Sequence, residues 1–85
     1  MIVKLTGGEF VDLYDVTGVD VGTQLIVTNI TMSDVRLFAT ATTPDPSTDD
    51  SFPCLFGGSS VTNDASDPGA WVVSSGDGAI LVEVL

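Results

Sequence analysis

General acid–base chemistry near neutral pH needs a side chain that can hold and release a proton there, and this chain has no histidine. A serine nucleophile would have to rely on Lys4, the single lysine of the chain. The one cysteine, Cys54, follows Asp49 and Asp50 in a strongly acidic sequence, whereas a reactive thiolate needs an electropositive surround. Flanked by Phe52, Leu55 and Phe56, it reads as a small buried apolar residue. Carboxylates are plentiful, but glycoside hydrolysis also needs a deep cleft and one raised carboxyl. Beyond Trp71 and Tyr14 there is no aromatic platform to line such a cleft.

Calcium is the stronger chemical candidate. Asp45, Ser47, Asp49 and Asp50 place oxygens at nearly alternate positions, as a calcium loop does. The sixth position is Asp50 rather than Gly, however, and the twelfth is Phe56 rather than Glu. A second oxygen cluster, Asn63-Asp64-Ala65-Ser66-Asp67, has no recognised ligand spacing. Both read as solvated turn acids. Gly7-Gly8 and Gly57-Gly58 lack the Lys that follows the glycines of a phosphate loop. Trp71 reads as a packing anchor, with sugar stacking as the alternative. The expectation is therefore no catalytic residue, no cofactor and no metal.

Eighty-five residues make one domain, 1–85, with a small core. A single cysteine rules out a disulfide within the chain, so partner subunits are the natural supplement to stability. Twelve acids against Lys4 and Arg36 give a formal net charge of −10. Such a surface repels nucleic acid and anionic membranes. The chain is nonetheless 44% hydrophobic, which argues for a folded domain rather than a disordered acidic segment. MIVKLTGGEF does not read as a secretory signal, and no apolar run approaches the roughly 20 residues of a membrane-spanning helix.

The elements that must position these residues read as strands. Short runs of Val, Ile, Thr and aromatics alternate with Gly, Asp, Asn, Ser and Pro. Strands are predicted at Ile2–Leu5, Phe10–Val16, Thr23–Ile30, Val35–Thr42, Ala70–Ser74 and Ala79–Val84. TMSD is expected to close a hairpin between the third and fourth, and SGDG one between the fifth and sixth. Gly18 and Gly22 suit a sharp corner with positive φ between the second and third. Two polar connections, TPDPSTDDSFPC and GGSSVTNDASDPG, read as long loops. The fold class is all-β: a small single-domain sandwich or barrel of about six short, mostly antiparallel strands with two long loops.

Several of these strands carry apolar residues on both faces, which a monomeric sheet with one wet side would avoid. The pattern reads as contact with other proteins, with Phe38, Phe52, Phe56, Trp71, Ile80, Val82 and Val84 as interface candidates; the alternative is a closed barrel with scattered exposed Val and Phe.

The stretches LYDVTGVDVGTQLIVTN, VRLF and PGAWVVSSGDGAILVEV carry a resemblance. Their order resembles small β-rich virion proteins of tailed bacteriophages, whose pattern runs T-G-[V/I]-x-V-G-T-x-L-x-[V/I]-x-N, a V-x-L strand, a polar loop, a G-x-W strand and a valine-rich end. The matching positions are Thr17, Gly18, Val19, Val21, Gly22, Thr23, Leu25, Val27, Asn29, Val35, Leu37, Gly69 and Trp71. The Pro-rich acidic loop and Cys54 depart from it. The resemblance implies a structural protein with no catalytic positions. It would be a capsid decoration (cement) protein, made in the host cytoplasm, that binds the outside of the shell through apolar strand faces and stabilises it, contacting the major capsid protein or tail proteins and copies of itself as a homo-oligomer. A tail adaptor or fibre-anchoring component is the alternative within the virion, and a small calcium- or sugar-binding module the alternative outside it.

Overall fold

A computed structural model of the chain describes residues 1–61 and 68–85. In chain order the elements are β1 (Ile2–Leu5), β2 (Val11–Asp12), α1 (Leu13–Thr17), β3 (Leu25–Asn29), β4 (Val35–Phe38), β5 (Phe52–Cys54), β6 (Ser59–Val61), β7 (Trp71–Ser74) and β8 (Gly78–Val84). They form two four-stranded antiparallel sheets, ordered β1-β8-β3-β6 and β2-β7-β4-β5. The all-β class is as expected, and the architecture is a sandwich rather than a barrel.

The two orders correspond position by position. β1 matches β2, β8 matches β7, β3 matches β4, and β6 matches β5. Each matched pair is consecutive in the chain, so the sandwich is a stack of four arches. In each arch one strand lies in each sheet. The inward residues of both sheets make one core that includes Val3, Leu5, Leu25, Val27, Val35, Leu37, Val72, Ile80 and Val82. Burial of each large aliphatic side chain there contributes about 1.5–3 kcal/mol.

Both predicted hairpins are corrected by this topology. β3 bonds to β8 and β6, and β4 bonds to β7 and β5. Likewise β7 bonds to β4 and β2, and β8 to β1 and β3. TMSD and SGDG do reverse the chain, but each also carries it to the opposite sheet. Turn residues specify a reversal; they do not specify which strand the next segment will hydrogen-bond. The two arches cross closely, because Gly78 lies where a Cβ would collide with the Thr31 side chain.

The strand predicted at Phe10–Val16 is also corrected. Only Val11–Asp12 is extended, and a helical turn follows. Asp12 caps it, its Oδ1 accepting from Tyr14 N at 3.0 Å and Asp15 N at 3.4 Å. Gly18 ends it in the left-handed region at φ 71°, its N–H donating to the Tyr14 carbonyl at 3.0 Å. Leu13 and Tyr14 are adjacent and both buried. A strand would send them to opposite faces; a helical turn brings both to the core. Gly22 follows with φ 95°, so the corner expected between Gly18 and Gly22 is present.

The polar connections contain the remaining strands. β5 lies in the first and β6 in the second, which raises the count from about six to eight. Both are three-residue edge strands. β5 tolerates Pro53 because an edge strand leaves one row of backbone groups without a ladder partner. β4 stops at Phe38 rather than running to Thr42.

Candidate interaction site

The arches gather at one end of the sandwich, and their connections are tied together there. Ser75 N donates to the Asp34 carbonyl at 2.9 Å, and Asp34 N to Ser75 Oγ at 3.1 Å. Gly8 N reaches the Ser74 carbonyl at 2.7 Å, and Gly7 N reaches Asp77 Oδ1 at 2.9 Å. Asn29 N donates to the Gly58 carbonyl at 3.1 Å, while Gly57 N donates to the Asn29 carbonyl at 2.8 Å. This last pair sets the β3–β4 connection beside the β5–β6 connection.

From this bonded frame four apolar side chains project outward: Ile30, Met32, Leu55 and Phe56. Met32 is 86% exposed, Leu55 72% and Phe56 64%. Exposed carboxylates of Glu9, Asp34 and Asp77 stand on the neighbouring connections. This end of the sandwich, its tip, thus presents exposed apolar side chains on backbone held by hydrogen bonds between connections, with Arg36 lining a depression together with Asp34 and Leu55. That is suited to pressing into an apolar hollow.

The interface candidates from the sequence divide. Phe56 belongs to the tip, and Phe52 is exposed on the edge strand β5 that leads into the connection carrying Phe56. Val84 is exposed near the chain's end. Trp71 is half-buried, opposite Phe38 in the second sheet. Phe38, Ile80 and Val82 are corrected: each is buried within the chain itself. Ile80 and Val82 occupy inward positions of β8, and Phe38 is covered by Phe10, whose ring meets it edge-on with centroids 5.7 Å apart. Ile30, Met32 and Leu55 were not among the candidates. Met32 and Leu55 gave only the signal of an apolar residue inside a turn-rich connection, where no periodicity marks a face, and Ile30 stood at the end of the predicted strand Thr23–Ile30.

The groups weighed for chemistry are placed as follows. Cys54 is buried, its Sγ 3.7 Å from the Val27 carbonyl oxygen and 3.5 Å from that of Gly58, in the packing role expected of it. Asn29-Ile30-Thr31 matches the three-residue N-glycosylation pattern, but Asn29 is fully buried and its amide is engaged by the protein. In the acidic loop, Asp45 Oδ1 accepts from Ser47 N at 3.0 Å and from Ser47 Oγ at 2.7 Å, and Asp49 Oδ2 accepts from Asp45 N at 2.8 Å. The Ser47 hydroxyl and then its N–H hold the Asp45 carboxyl below its ordinary range. These carboxylates shape the loop itself. Among the described residues no three His, Cys, Asp or Glu side chains converge as a metal would require. The Asn63–Asp67 cluster lies outside the described residues.

Two depressions flank Arg36. One of about 150 Å³ is lined by Asp34, Val35, Pro53, Cys54 and Leu55; the other, about 310 Å³, by Gly8, Asp34, Val73, Ser74 and Ser75. Neither brings together a nucleophile and a base. No helix of the described residues is long and apolar enough to cross a membrane. No protein-family model, curated protein or solved structure matches the chain.

Proposed function

We propose that this chain is a non-enzymatic structural protein of a tailed-bacteriophage virion. Its role is that of a capsid decoration (cement) protein, docked on the outer surface of the shell and stabilising it. The observation that carries the reading is the tip: Ile30, Met32, Leu55 and Phe56 held out from the bonded end of the arches. The phage-like order of turn and strand residues and the small all-β sandwich add support. In this reading the tip presses into the major capsid protein. Many copies bind a repeating lattice, so modest individual contacts sum over the particle, and binding to the assembled state alone stabilises it by mass action. The net charge of −10 suits the outside of a DNA-filled particle better than its lumen.

The test is to purify mature particles and identify and count their proteins by mass. Hundreds of copies of this chain per particle are expected. About a dozen or fewer would move it to the tail, as an adaptor or fibre anchor. Absence from mature particles would sink both forms of the reading.

A further inference from the structure

The outer face of the first sheet is a second surface, and its pattern is self-complementary. Strand register fixes which side chains share it. Ile2 lies beside Leu81, Leu81 beside Thr28, and Thr28 beside Ser59. On one side of this row lie Lys4 and Ala79; on the other lie Glu83, Ile26 and Val61. All of these residues are at least partly exposed, while their neighbours Val3, Leu5, Leu25, Val27, Ile80 and Val82 fill the core. Ile2 and Val61, on the two edge strands, are 56% and 54% exposed. The two hydroxyls of the middle row satisfy each other, with Thr28 Oγ1 2.8 Å from Ser59 Oγ. The face is therefore apolar across all four strands, with a polar pair that already has its hydrogen bond.

Its charge is what selects the occupant. The chain carries −10, so two copies repel wherever their acidic surfaces meet. Among the described residues this face carries one base and one acid, Lys4 and Glu83, which cancel. The nine other described acids and Arg36 stand on connections, in α1 or in the second sheet. The described charges of this face therefore do not repel a second copy.

Geometry adds a pairing. Lys4 lies level with Ala79, two residues along β8 from Leu81 in one direction, and Glu83 lies two residues from Leu81 in the other. A two-fold axis lying in the face and crossing the strands near the Ile2–Leu81 row carries Lys4 of each copy toward Glu83 of the other. This gives the reciprocal contact an isologous dimer requires. The molecule measures 30 × 28 × 19 Å, the short dimension suiting two stacked sheets.

We infer that the occupant of this face is a second copy of the chain, packed sheet on sheet through Ile2, Ile26, Val61 and Leu81 with reciprocal Lys4–Glu83 contacts. The inference rests on the fold and its charge distribution alone, and holds whether or not the chain is a virion component.

Sedimentation velocity on the purified full chain tests it, with circular dichroism to confirm that each variant is folded. The wild-type chain is expected to dimerise. Leu81→Glu and, independently, Val61→Glu should each weaken the dimer ~10-fold or more, as loss of a central apolar contact does. Lys4→Glu alone and Glu83→Lys alone should each weaken it by placing like charges together, and the double variant should recover it. The two residues are on different strands and separated along the face by the Ile2–Leu81 row, so recovery reports contact between copies. A wild-type chain that stays monomeric at the highest soluble concentration overturns the inference. So does a dimer indifferent to both apolar replacements, or one the double charge swap fails to restore. A monomer found on particles would sink this inference alone, and a dimer absent from particles would sink the virion reading alone.

Discussion

Asn29 Nδ2 donates a hydrogen bond to the Cys54 carbonyl at 2.9 Å, joining the end of β3 in one sheet to the end of β5 in the other. The same amide group donates to the Ser33 carbonyl at 3.2 Å, and Asn29 Oδ1 accepts from Thr31 N at 2.9 Å. One fully buried side chain thus ties the connection it begins to the neighbouring arch. A buried amide is stable only when its donors and acceptor are matched, and here both kinds of group are used.

Replacing Asn29 with Leu removes this tie and leaves buried backbone groups without partners. A loss of about 2–4 kcal/mol is expected, from the desolvation left uncompensated at each group. Urea unfolding measures it; a midpoint close to wild type would show that the tie contributes little. The tip on the same frame should also loosen, read as faster amide exchange at Ile30 to Ser33.

The helical turn α1 depends on its two ends. Asp12→Ala should cost about 1 kcal/mol through the lost cap. Gly18→Ala places a Cβ at φ 71° and should cost about 1–2 kcal/mol. Thermal unfolding of both variants checks this. A neutral Gly18→Ala would mean the chain leaves that backbone conformation without penalty.

Two phenylalanines separate packing from docking. Phe38→Ala should destabilise the chain by about 3–5 kcal/mol, since the ring is buried against Phe10. Phe56→Ala should change stability by no more than about 0.5 kcal/mol, because the ring is exposed. Yet Phe56→Ala should weaken particle binding about tenfold or more if the tip docks. Denaturation and a particle co-sedimentation assay read the two effects separately; equal stability losses would contradict the assignment of these rings.

The acidic loop has its own titration. Hydrogen bonds from Ser47 lower the Asp45 carboxyl from its usual 3.8. A depressed carboxyl stabilises the folded loop above its unfolded value, and that contribution is lost as pH falls through the folded one. Carboxyl-carbon NMR should show Asp45 titrating below 3.8, and Ser47→Ala should move it back up. The group is fully exposed. Global stability should therefore respond little, and an unmoved Asp45 in Ser47→Ala would refute the stated cause.

Much of the fold is present in local sequence. The short Val-, Ile- and Leu-rich runs IVKL, LIVTN and GAILVEV mark strands because branched side chains fit a pleated, half-buried surface. Gly18 and Gly22 mark a corner because only glycine enters the left-handed region without penalty. The helical turn was legible too, in Asp12 and Gly18 as caps, but the strand-favouring residues of Phe10–Val16 concealed it. Of the interface candidates, Phe52, Phe56 and Val84 proved exposed, whereas Ile80 and Val82 proved to be core, since an apolar residue looks the same in sequence whichever side of a sheet it faces.

By itself, then, the sequence determined an acidic all-β domain without histidine and the places where its chain turns, because these follow from composition and from interactions between near neighbours. Tertiary structure alone decided that the turns are arches rather than hairpins, that FPC and SSV become edge strands, and that the connections bearing the exposed Ile30, Met32, Leu55 and Phe56 lie bonded side by side at one end. Pairing across a sheet and packing between sheets join residues far apart in the chain. Such contacts are chosen by how well the whole set of faces buries together, which no short stretch encodes.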